Sequence, residues 1–531
     1  MLGGSNMTNE QLSRKSPWFS YLGLLLGTFT MIEAMAFQIP ALPVLTKEFG
    51  VPVATAALIS LCYYLTATVC GPVFGNIADQ IGRKRIAMIG MIIFAISEFL
   101  AAFATNYPFF LLARLCQGIG VAAVLPAGLS YASYLFPPNK RGIAVGVYTA
   151  VGTFASAMGG FLGGILIAKF GWQSLYIISG VLAVLGIALV HITVPETPTS
   201  ERKPFDYIGS ILLLLTIGTW LSLSVLVANF GWVSPYTLGM LGLAIVFAIS
   251  FWNVEKRTSH PFMDLSILKN RYFAAPILLY FFIALCSQGS VFTNSYFVTA
   301  KPGLGTAYVG IMTGSIYLAG AATSLLSGKL IDSFKIKTVL LIGMGTFIAG
   351  TLLYSQYTVD TPFWYIVLTL VFMSGSLLFI APACMKMSMS AVPPEKLGSG
   401  SGTYIMIRDL GSPTGQTTML AAFGAISASS LATEIAAEAQ NSGVSEDMIP
   451  AVVEAGKTAG KVIDPTLADH LAKIGVSFQD LYAKANFDGM VIAVNQMSTI
   501  IIAIAVAAFI VAVFALPNTN GSPSGLDHRS K

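Results

Sequence analysis

The stretch Gly75-Asn76-Ile77-Ala78-Asp79-Gln80-Ile81-Gly82-Arg83-Lys84-Arg85 is a short polar turn between two long apolar runs. It combines two glycines, one carboxylate and three cations in a chain of which only 10% of the residues are charged. A related stretch, Gly328–Lys337, occurs later, and its aspartate follows that of the first stretch by 253 positions. A second motif, Pro137-Pro138, returns as Pro393-Pro394 at an offset of 256. Two motifs that return at nearly one offset predict a chain with a duplicated half.

The composition is that of a membrane protein. The chain has 531 residues, of which 55% are hydrophobic, and its mean hydropathy is +0.75. Soluble domains carry about 25% charged residues, whereas apolar runs of roughly 20 residues recur here, each long enough to cross a hydrocarbon layer of ~30 Å. All five cysteines lie inside such runs without metal-ligand spacing, so we predict neither disulfides nor a metal site. The net charge of +5 comes from residues at the edges of these runs, which argues against nucleic-acid binding.

Fourteen apolar runs predict an all-α integral membrane protein with fourteen spanning helices. The runs start near residues 18, 52, 86, 107, 141, 173, 206, 235, 273, 306, 338, 362, 399 and 489. If the N-terminus is cytoplasmic, twenty lysines and arginines fall in cytoplasmic segments and three fall in short outside loops. The positive-inside rule therefore predicts that both termini are cytoplasmic.

The duplication predicts two six-helix bundles with two further helices inserted between them. The predicted parts are a cytoplasmic tail at 1–17, the first bundle at 18–200, the inserted helices at 201–258, the second bundle at 259–516 and a cytoplasmic tail at 517–531. The second bundle includes an outside segment at 427–487, in which three stretches have the pattern of amphipathic helices: Ala432–Gln440, Glu446–Ala459 and Pro465–Lys473. Isolated helices shorter than about 12–15 residues are marginal in water. We therefore expect a folded cap on the outer rim of the spanning helices, acting as a solvated cover, a substrate lid or a site for a partner.

These motifs resemble the major facilitator superfamily and, within it, the fourteen-helix drug:proton antiporters. Gly75–Arg85 is similar to the superfamily's signature between helices 2 and 3, and Arg114–Gly120 to the helix-4 signature of proton-driven members. The loop before helix 9 also resembles the fourteen-helix branch, at Glu255, Pro261, Asp264 and Leu265. Helix 13 resembles the same branch at Arg408, Gly411 and Gly415. Besides Ile77 and Gln80 in the hairpin signature, two departures from the pattern matter: the helix-5 signature lacks its proline in Gly159–Gly164, and the helix-1 acid is Glu33 in a shifted register.

The resemblance implies a major facilitator fold and a secondary active transporter that exports hydrophobic or cationic organic compounds by proton antiport and alternating access. It implies a monomer in the inner membrane of a bacterium, with the proton gradient as energy source and with no cofactor, enzymatic activity or nucleic-acid partner. Its partners would be a small-molecule substrate, protons and membrane lipids. A uniporter or proton symporter for a specific metabolite or lipid is the alternative, because of the missing proline. A non-transporting receptor or scaffold is disfavoured, because it has no need of charges inside the membrane.

Five charged residues fall inside predicted spans, where an ionised side chain costs about 2.5–3.5 kcal/mol or more. Glu33 in helix 1 and Arg114 in helix 4 lie at similar depth, judged from the helical rise. We interpret Glu33 beside Arg114 as a proton carrier, with a static ion pair as the alternative, and Glu98 in helix 3 as a further coupling candidate. Arg408 and Asp409 are adjacent and project about 100° apart, so we expect that they do not both point straight into the cavity. Asp409 is interpreted as a second protonation site or a substrate counter-ion.

Three further sets of residues have predicted roles. A latch that closes the cytoplasmic side, in which Asp79 pairs with Arg83 or a facing helix end, comprises Gly75, Asp79, Gly82, Arg83, Lys84, Arg85, Asp332 and Lys335. A stripe of small residues on helix 5, for close helix packing or gating, comprises Gly152, Ser156, Gly159, Gly160, Gly163 and Gly164. Aromatic and amide side chains suit amphipathic or cationic molecules, and the predicted cavity wall comprises Phe37, Gln38, Tyr63, Gln117, Tyr148, Gln288, Asn294 and Tyr404.

Overall fold

The computed structural model describes residues 16–137, 140–197, 206–258, 267–393, 397–457 and 463–516. Within these ranges the regular structure is entirely helical, and fourteen helices are long and apolar enough to cross a membrane. The prediction of an all-α protein with fourteen spans is therefore confirmed. The predicted tails at 1–17 and 517–531 lie almost entirely outside the described residues.

The first bundle has an interrupted first span. Its helices are α1 (Pro17–Ala36), α2 (Gln38–Glu48), α3 (Val53–Ile81), α4 (Arg83–Ala102), α5 (Tyr107–Leu135), α6 (Arg141–Phe170) and α7 (Gln173–Thr193). The span breaks at Phe37, close to Pro40 and Pro43, which have no backbone N–H to continue the helical hydrogen bonds. The break lies one turn after Glu33, whose carbonyl oxygen accepts a hydrogen bond from the N–H of Phe37 at 2.9 Å.

The rest of the described chain forms the inserted pair and the second bundle. The helices are α8 (Tyr207–Phe230), α9 (Pro235–Arg257), α10 (Arg271–Ala300), α11 (Thr306–Ser333), α12 (Ile336–Tyr354), α13 (Phe363–Ser390), α14 (Leu397–Asn441), α15 (Ile449–Lys457), α16 (Pro465–Ile474) and α17 (Phe478–Ala515). The inserted helix α8 packs against both α3 and α14, so it bridges the two bundles, and α9 packs on α8. Large apolar side chains of α9, such as Leu238, Val246 and Trp252, are exposed and are available to lipid.

The outside segment is a folded cap built on extensions of the last two spans. α14 has 45 residues, or about 68 Å of helix, which is roughly twice the thickness of a hydrocarbon layer. Ile435 on α14, Val452 on α15, Leu467 on α16 and Leu481 on α17 are buried in one shared apolar core. The folded cap that we predicted is therefore present, but its core is formed on the extended helices rather than on the outer rim. The stretch Ala432–Gln440 is part of α14 and not a separate helix.

Polar contacts also hold the cap together. The side chains of Glu438 on α14 and Lys484 on α17 form an ion pair with an Nζ to Oε1 distance of 2.7 Å. Asp464 caps the start of α16, and hydrogen bonds from the hydroxyl and the N–H of Thr466 hold the pKa of Asp464 below its ordinary value.

Because α17 continues into the cap, it begins at Phe478 rather than near residue 489 as predicted.

The two ends of the helix bundle differ. We call the end at which the described chain begins and ends the termini face, and the end that carries the cap the cap face. Near the cap face the bundles touch: a Cβ atom added to Gly164 on α6 would lie 2.4 Å from the carbonyl oxygen of Thr306 on α11. The hydroxyl oxygens of Thr46 on α2 and Tyr296 on α10 lie 2.5 Å apart across the same region. The two bundles are therefore closed against each other near the cap face.

Candidate functional site

A cavity of about 660 Å³ lies between the two bundles, on the termini side of this contact. Helices α1, α3, α5 and α6 form one wall, and α14 forms the other. The cavity extends from Met35, near the end of α1, to Gly75, near the termini end of α3. Its wall is mostly apolar, and its polar side chains are Tyr64, Thr68, Tyr148, Arg408, Asp409 and Ser412. The volume is within the range of about 300–1,000 Å³ that is usual for small-molecule sites.

Arg408 and Asp409 are the charged residues of the cavity wall. The Arg408 Nε and Asp409 Oδ1 atoms are 2.7 Å apart, and both side chains line the cavity. Both residues therefore line the cavity, with the Arg408 side chain bent back to its neighbour. The expectation that the two do not both point straight into the cavity stays a prediction, because lining the wall does not fix the direction of each side chain. The two side chains keep 32% and 43% of their exposure. A partly exposed pair of this kind contributes only about 0–1 kcal/mol to stability.

Arg114, on α5, is fully buried inside the first bundle. Its Nη1 donates a hydrogen bond to the side-chain oxygen of Gln117 at 2.6 Å, and its Nε donates to the carbonyl oxygen of Ile59 at 3.3 Å. The guanidinium lies 4.3 Å from the centre of the Tyr63 ring, an arrangement that is favourable for a desolvated cation. Its Nη2 has no hydrogen-bond partner among the described residues. The hydrogen-bond and ring partners of this cation are therefore neutral groups.

Glu33 and Glu98 are buried acids of the same bundle. Glu33 is 8% exposed, and its Oε2 accepts a hydrogen bond from the hydroxyl of Ser179 at 3.0 Å. Glu98 is fully buried, and neither of its carboxyl oxygens has a hydrogen-bond partner in the described part of the chain. Arg114 is near enough to act on Glu98 electrostatically, but no ion pair between described residues joins Arg114 to Glu33. The predicted Glu33–Arg114 pair is therefore wrong for this state, in which Ser179 is the partner of Glu33.

The two hairpins that revealed the duplication lie at the termini face. In Gly75–Arg85, the Asp79 carboxylate pairs with the Arg83 guanidinium across one helical turn, with an Nη2 to Oδ1 distance of 2.8 Å. In the second hairpin, Lys335 is the residue that precedes α12. The side chain of Asp332 lies outside the described residues. A pairing in the second half therefore stays a prediction.

The end of the first hairpin binds the loop that follows α7. The N–H of Lys84 donates to Glu196 Oε1 at 3.1 Å, and Arg85 Nε lies 3.6 Å from Glu196 Oε2. The Lys84 Nζ donates to the carbonyl oxygen of His191, in the last turn of α7, at 2.9 Å. Gly82 has a φ of 116°, a backbone conformation that favours glycine. A Cβ there would lie 2.6 Å from Glu196 Oε1, so a larger residue would also displace that carboxylate. Sequence reasoning missed Glu196, although an acid in a Pro-Glu-Thr loop directly after a span was a usable signal.

The second bundle repeats this contact through Lys337, which the sequence analysis did not single out. Lys337 follows Lys84 by 253 positions, the offset of the duplicated hairpins. Its Nζ donates to the carbonyl oxygens of Val513 and Leu516, at the end of α17, at 2.6 and 2.9 Å. A cation is favourable at the carboxyl end of a helix. Each bundle therefore uses an equivalent lysine to bind the end of its last span.

The small residues of α6 divide between two neighbours. Those that face α11 of the second bundle are Gly160 and Gly164; those that face the first span are Gly152, Gly159 and Gly163. The hydroxyl of Ser156 donates back to the carbonyl oxygen of Gly152 within α6 at 3.1 Å. A Cβ on Gly159 would lie 2.4 Å from the carbonyl oxygen of Glu33. The same helix therefore contacts the closed interface on one side and the backbone of Glu33 on another.

Of the residues predicted to form the cavity wall, only Tyr148 lines the large cavity in this state. Residues that are instead fully buried or nearly so are Phe37, Gln38, Tyr63, Gln117, Asn294 and Tyr404. Gln288 lines a separate cavity of about 30 Å³ beside Tyr317. Tyr64 reaches the large cavity although Tyr63 does not, because consecutive residues of a helix point about 100° apart. No three His, Cys, Asp or Glu side chains converge as a metal site in the described ranges.

The profile of the Major Facilitator Superfamily matches residues 24–416. Multidrug resistance protein 3 of Bacillus subtilis (strain 168) is 27% identical over 419 residues, which cover 77% of this chain and 80% of that protein. The riboflavin transporter RibZ of Clostridioides difficile (strain 630) is 26% identical over 413 residues, 75% of this chain and 86% of that protein. A bacterial homologue of the human lysosomal transporter Spinster, solved in an inward-facing and occupied conformation, has a similar fold. The match covers 94% of this chain and 98% of that chain, with a TM-score of 0.62 and 15% sequence identity.

Proposed function

This chain belongs to the major facilitator superfamily of membrane transporters, and we propose that it exports hydrophobic or cationic organic compounds in exchange for protons. The observation that carries the proposal is the mostly apolar cavity between the bundles, with the Asp409 carboxylate in its wall. An apolar wall favours the body of an amphipathic compound, and a carboxylate in the wall favours its cationic group. The name of the Bacillus relative, a multidrug resistance protein, agrees with this class of substrate.

The proposed cycle is one of alternating access. The positive-inside rule assigns the termini face to the cytoplasm, so the substrate enters the cavity from that side. Rocking of one bundle against the other then separates α6 from α11 and breaks the hydrogen bond between Thr46 and Tyr296 near the cap face. The substrate leaves on the opposite side of the membrane.

Glu33 is the proposed proton carrier, and Glu98 and Asp409 are further candidates. Burial favours the neutral form of a carboxyl group, and contact with water or a cation favours the ionised form. Glu33 lies beside the break between α1 and α2 and against Gly159 of α6. Movement of α6 at the interface between the bundles therefore changes the surroundings of Glu33. Protonation and conformation are linked when the two conformations bind the proton differently.

We further propose that the transporter works as a monomer in a bacterial inner membrane, with the proton gradient as its energy source. Both walls of the cavity come from one chain, so transport needs no second copy. For the cap we keep the three proposed roles of a solvated cover, a lid and a partner site.

The test uses the purified protein in liposomes, with ethidium as the organic cation and a pH-sensitive dye inside. We expect an imposed proton gradient to drive ethidium accumulation, and ethidium addition to release protons. Glu33→Gln is expected to abolish accumulation and keep ethidium binding, because glutamine retains an acceptor for Ser179 but has no titratable proton. Glu48→Gln, an exposed acid of α2, is the matched control and should accumulate ethidium normally.

Two results would contradict the proposal. If ethidium moves only down its gradient in the unmodified protein, proton antiport is excluded and the uniporter alternative is favoured. If Glu33→Gln still accumulates ethidium against a gradient, Glu33 is not the carrier, and the same assay on Glu98→Gln and Asp409→Asn identifies which acid is.

A further inference from the structure

A second cavity, of about 590 Å³, is a groove between α10 and α17 on the outside of the second bundle. Small side chains such as Ala275 and Ala508 give the groove its width. Its apolar edges include Leu278, Phe282 and Val511, which are 50%, 42% and 50% exposed. Since α10 and α17 are spanning helices, these exposed edges face the hydrocarbon of the membrane. The groove is separate from the cavity between the two bundles, which is lined by other helices.

The groove has the length of one lipid leaflet. It is lined on α10 from Arg271 to Phe282, a separation of eleven residues, or about 16 Å at the rise of an α-helix. One leaflet is half of a hydrocarbon layer of about 30 Å. Arg271 is the first residue of α10, so the groove begins at the termini face and ends near the middle of the membrane.

Two cations stand at the membrane-surface end of the groove. Lys269 and Arg271 both line it and both are exposed, and no carboxylate of the described residues lines it. Among the described residues neither cation forms an ion pair. An Arg271 Nη2 donates to the hydroxyl of Tyr272 at 2.7 Å, and the guanidinium lies 4.8 Å from the centre of that ring. These contacts hold the Arg271 side chain while leaving its other nitrogen atoms for an external acceptor.

We propose that this groove binds one anionic phospholipid from the leaflet at the termini face. The phosphate is held by Lys269 and Arg271, and an acyl chain lies along the alanines between α10 and α17. Basic sites between spanning helices recognise anionic headgroups, and the apolar length of one leaflet selects a lipid over a soluble phosphate. The occupant is a resident lipid, not the transported compound.

The test is lipid retention by the intact protein. The protein is reconstituted in nanodiscs of equal phosphatidylcholine and phosphatidylglycerol, extracted gently, and its bound lipids are counted by native mass spectrometry. Lys269→Gln with Arg271→Gln is expected to lower phosphatidylglycerol retention about 30-fold, at about fivefold per cation near the surface. The matched control, Lys256→Gln with Arg257→Gln, makes the same charge change at the end of α9, also on the termini face, and should change retention less than twofold.

A third variant separates the groove from surface charge. Ala508→Phe fills the groove and keeps both cations, and it is also expected to lose phosphatidylglycerol. The proposal is overturned if both double variants lose the lipid equally, if phosphatidylcholine is retained as well as phosphatidylglycerol, or if Ala508→Phe retains the lipid. Gel filtration and the thermal transition of each variant show that lost retention does not come from unfolding, and the double variant decides the matter if Ala508→Phe does not fold.

Discussion

In the first bundle Glu33, Glu98 and Arg114 are buried, whereas in the second bundle Arg408 and Asp409 form a partly exposed ion pair on the cavity wall. The two bundles share a repeated plan, since Lys84 and Lys337 sit at equivalent positions and each binds the end of the last span. Their membrane charges do not follow that repeat.

The difference shows that an arginine can depend on its partners to a different degree in the two bundles. A fully buried cation such as Arg114 depends on fixed hydrogen bonds, because it has no contact with bulk water. The Arg408–Asp409 pair is partly hydrated, so its net contribution is small and a cationic substrate can compete for the carboxylate. The surroundings of Arg114 are therefore suited to a cation with fixed partners, whereas those of Arg408 and Asp409 allow an exchange of partners in the cavity.

The largest expected effect is the difference in transport between a variant of Arg114 and a variant of Arg408. Arg114→Gln should lower ethidium transport by about 100-fold, because two hydrogen bonds from a buried charged donor are lost, one to Ile59 on α3 and one to Gln117 within α5. Each is worth about 1.5–3 kcal/mol. Arg408→Gln should lower transport by about tenfold or less. Ethidium accumulation in liposomes with an imposed proton gradient measures both. Arg114→Lys is the control for charge without the planar fork, and equal effects of the two glutamine variants would show that burial is not what separates the bundles.

The next effect concerns the contact between the bundles. Gly164→Ala places a Cβ 2.4 Å from the carbonyl oxygen of Thr306. We therefore expect the population of the conformation that is closed at the cap face to fall about tenfold, for ~1.4 kcal/mol of strain. Gly146→Ala, on the same helix, has nothing within 4 Å of the added atom and is the matched control. Spin labels at the cap-face ends of α6 and α11 report the distance. A distance distribution that is unchanged by Gly164→Ala would mean that this contact does not hold the bundles closed.

The smallest effect tests the repeat itself. Lys84→Met and Lys337→Met should each destabilise the end of one last span by about 0.3–1 kcal/mol, because each removes a cation from helix-terminal carbonyls. Hydrogen exchange should rise at the end of α7 in the first variant and at the end of α17 in the second. Lys335→Met, which removes a nearby cation of the second hairpin, should leave α17 unchanged. If hydrogen exchange rises in only one of the two variants, the two lysines are not equivalent.

The number of spans and the duplication could be predicted because both depend on local sequence. A run of apolar residues must cross the membrane as a helix, since unpaired backbone groups are too costly there. The cap could be predicted as folded but not placed, because nothing local shows that α14 continues for 45 residues.

The sequence by itself determined which residues enter the membrane, in what order, and that two halves repeat. Only the tertiary structure decided which of the membrane charges meet. Depth along a helix can be estimated from residue number, and this estimate placed Glu33 and Arg114 at similar depth, but the rotation of each helix about its axis is set by packing. Packing turned Glu33 toward Ser179 and opened a cavity wide enough for both Arg408 and Asp409. Long-range contacts such as Lys337 with Leu516 were likewise fixed only when the two helix ends came together.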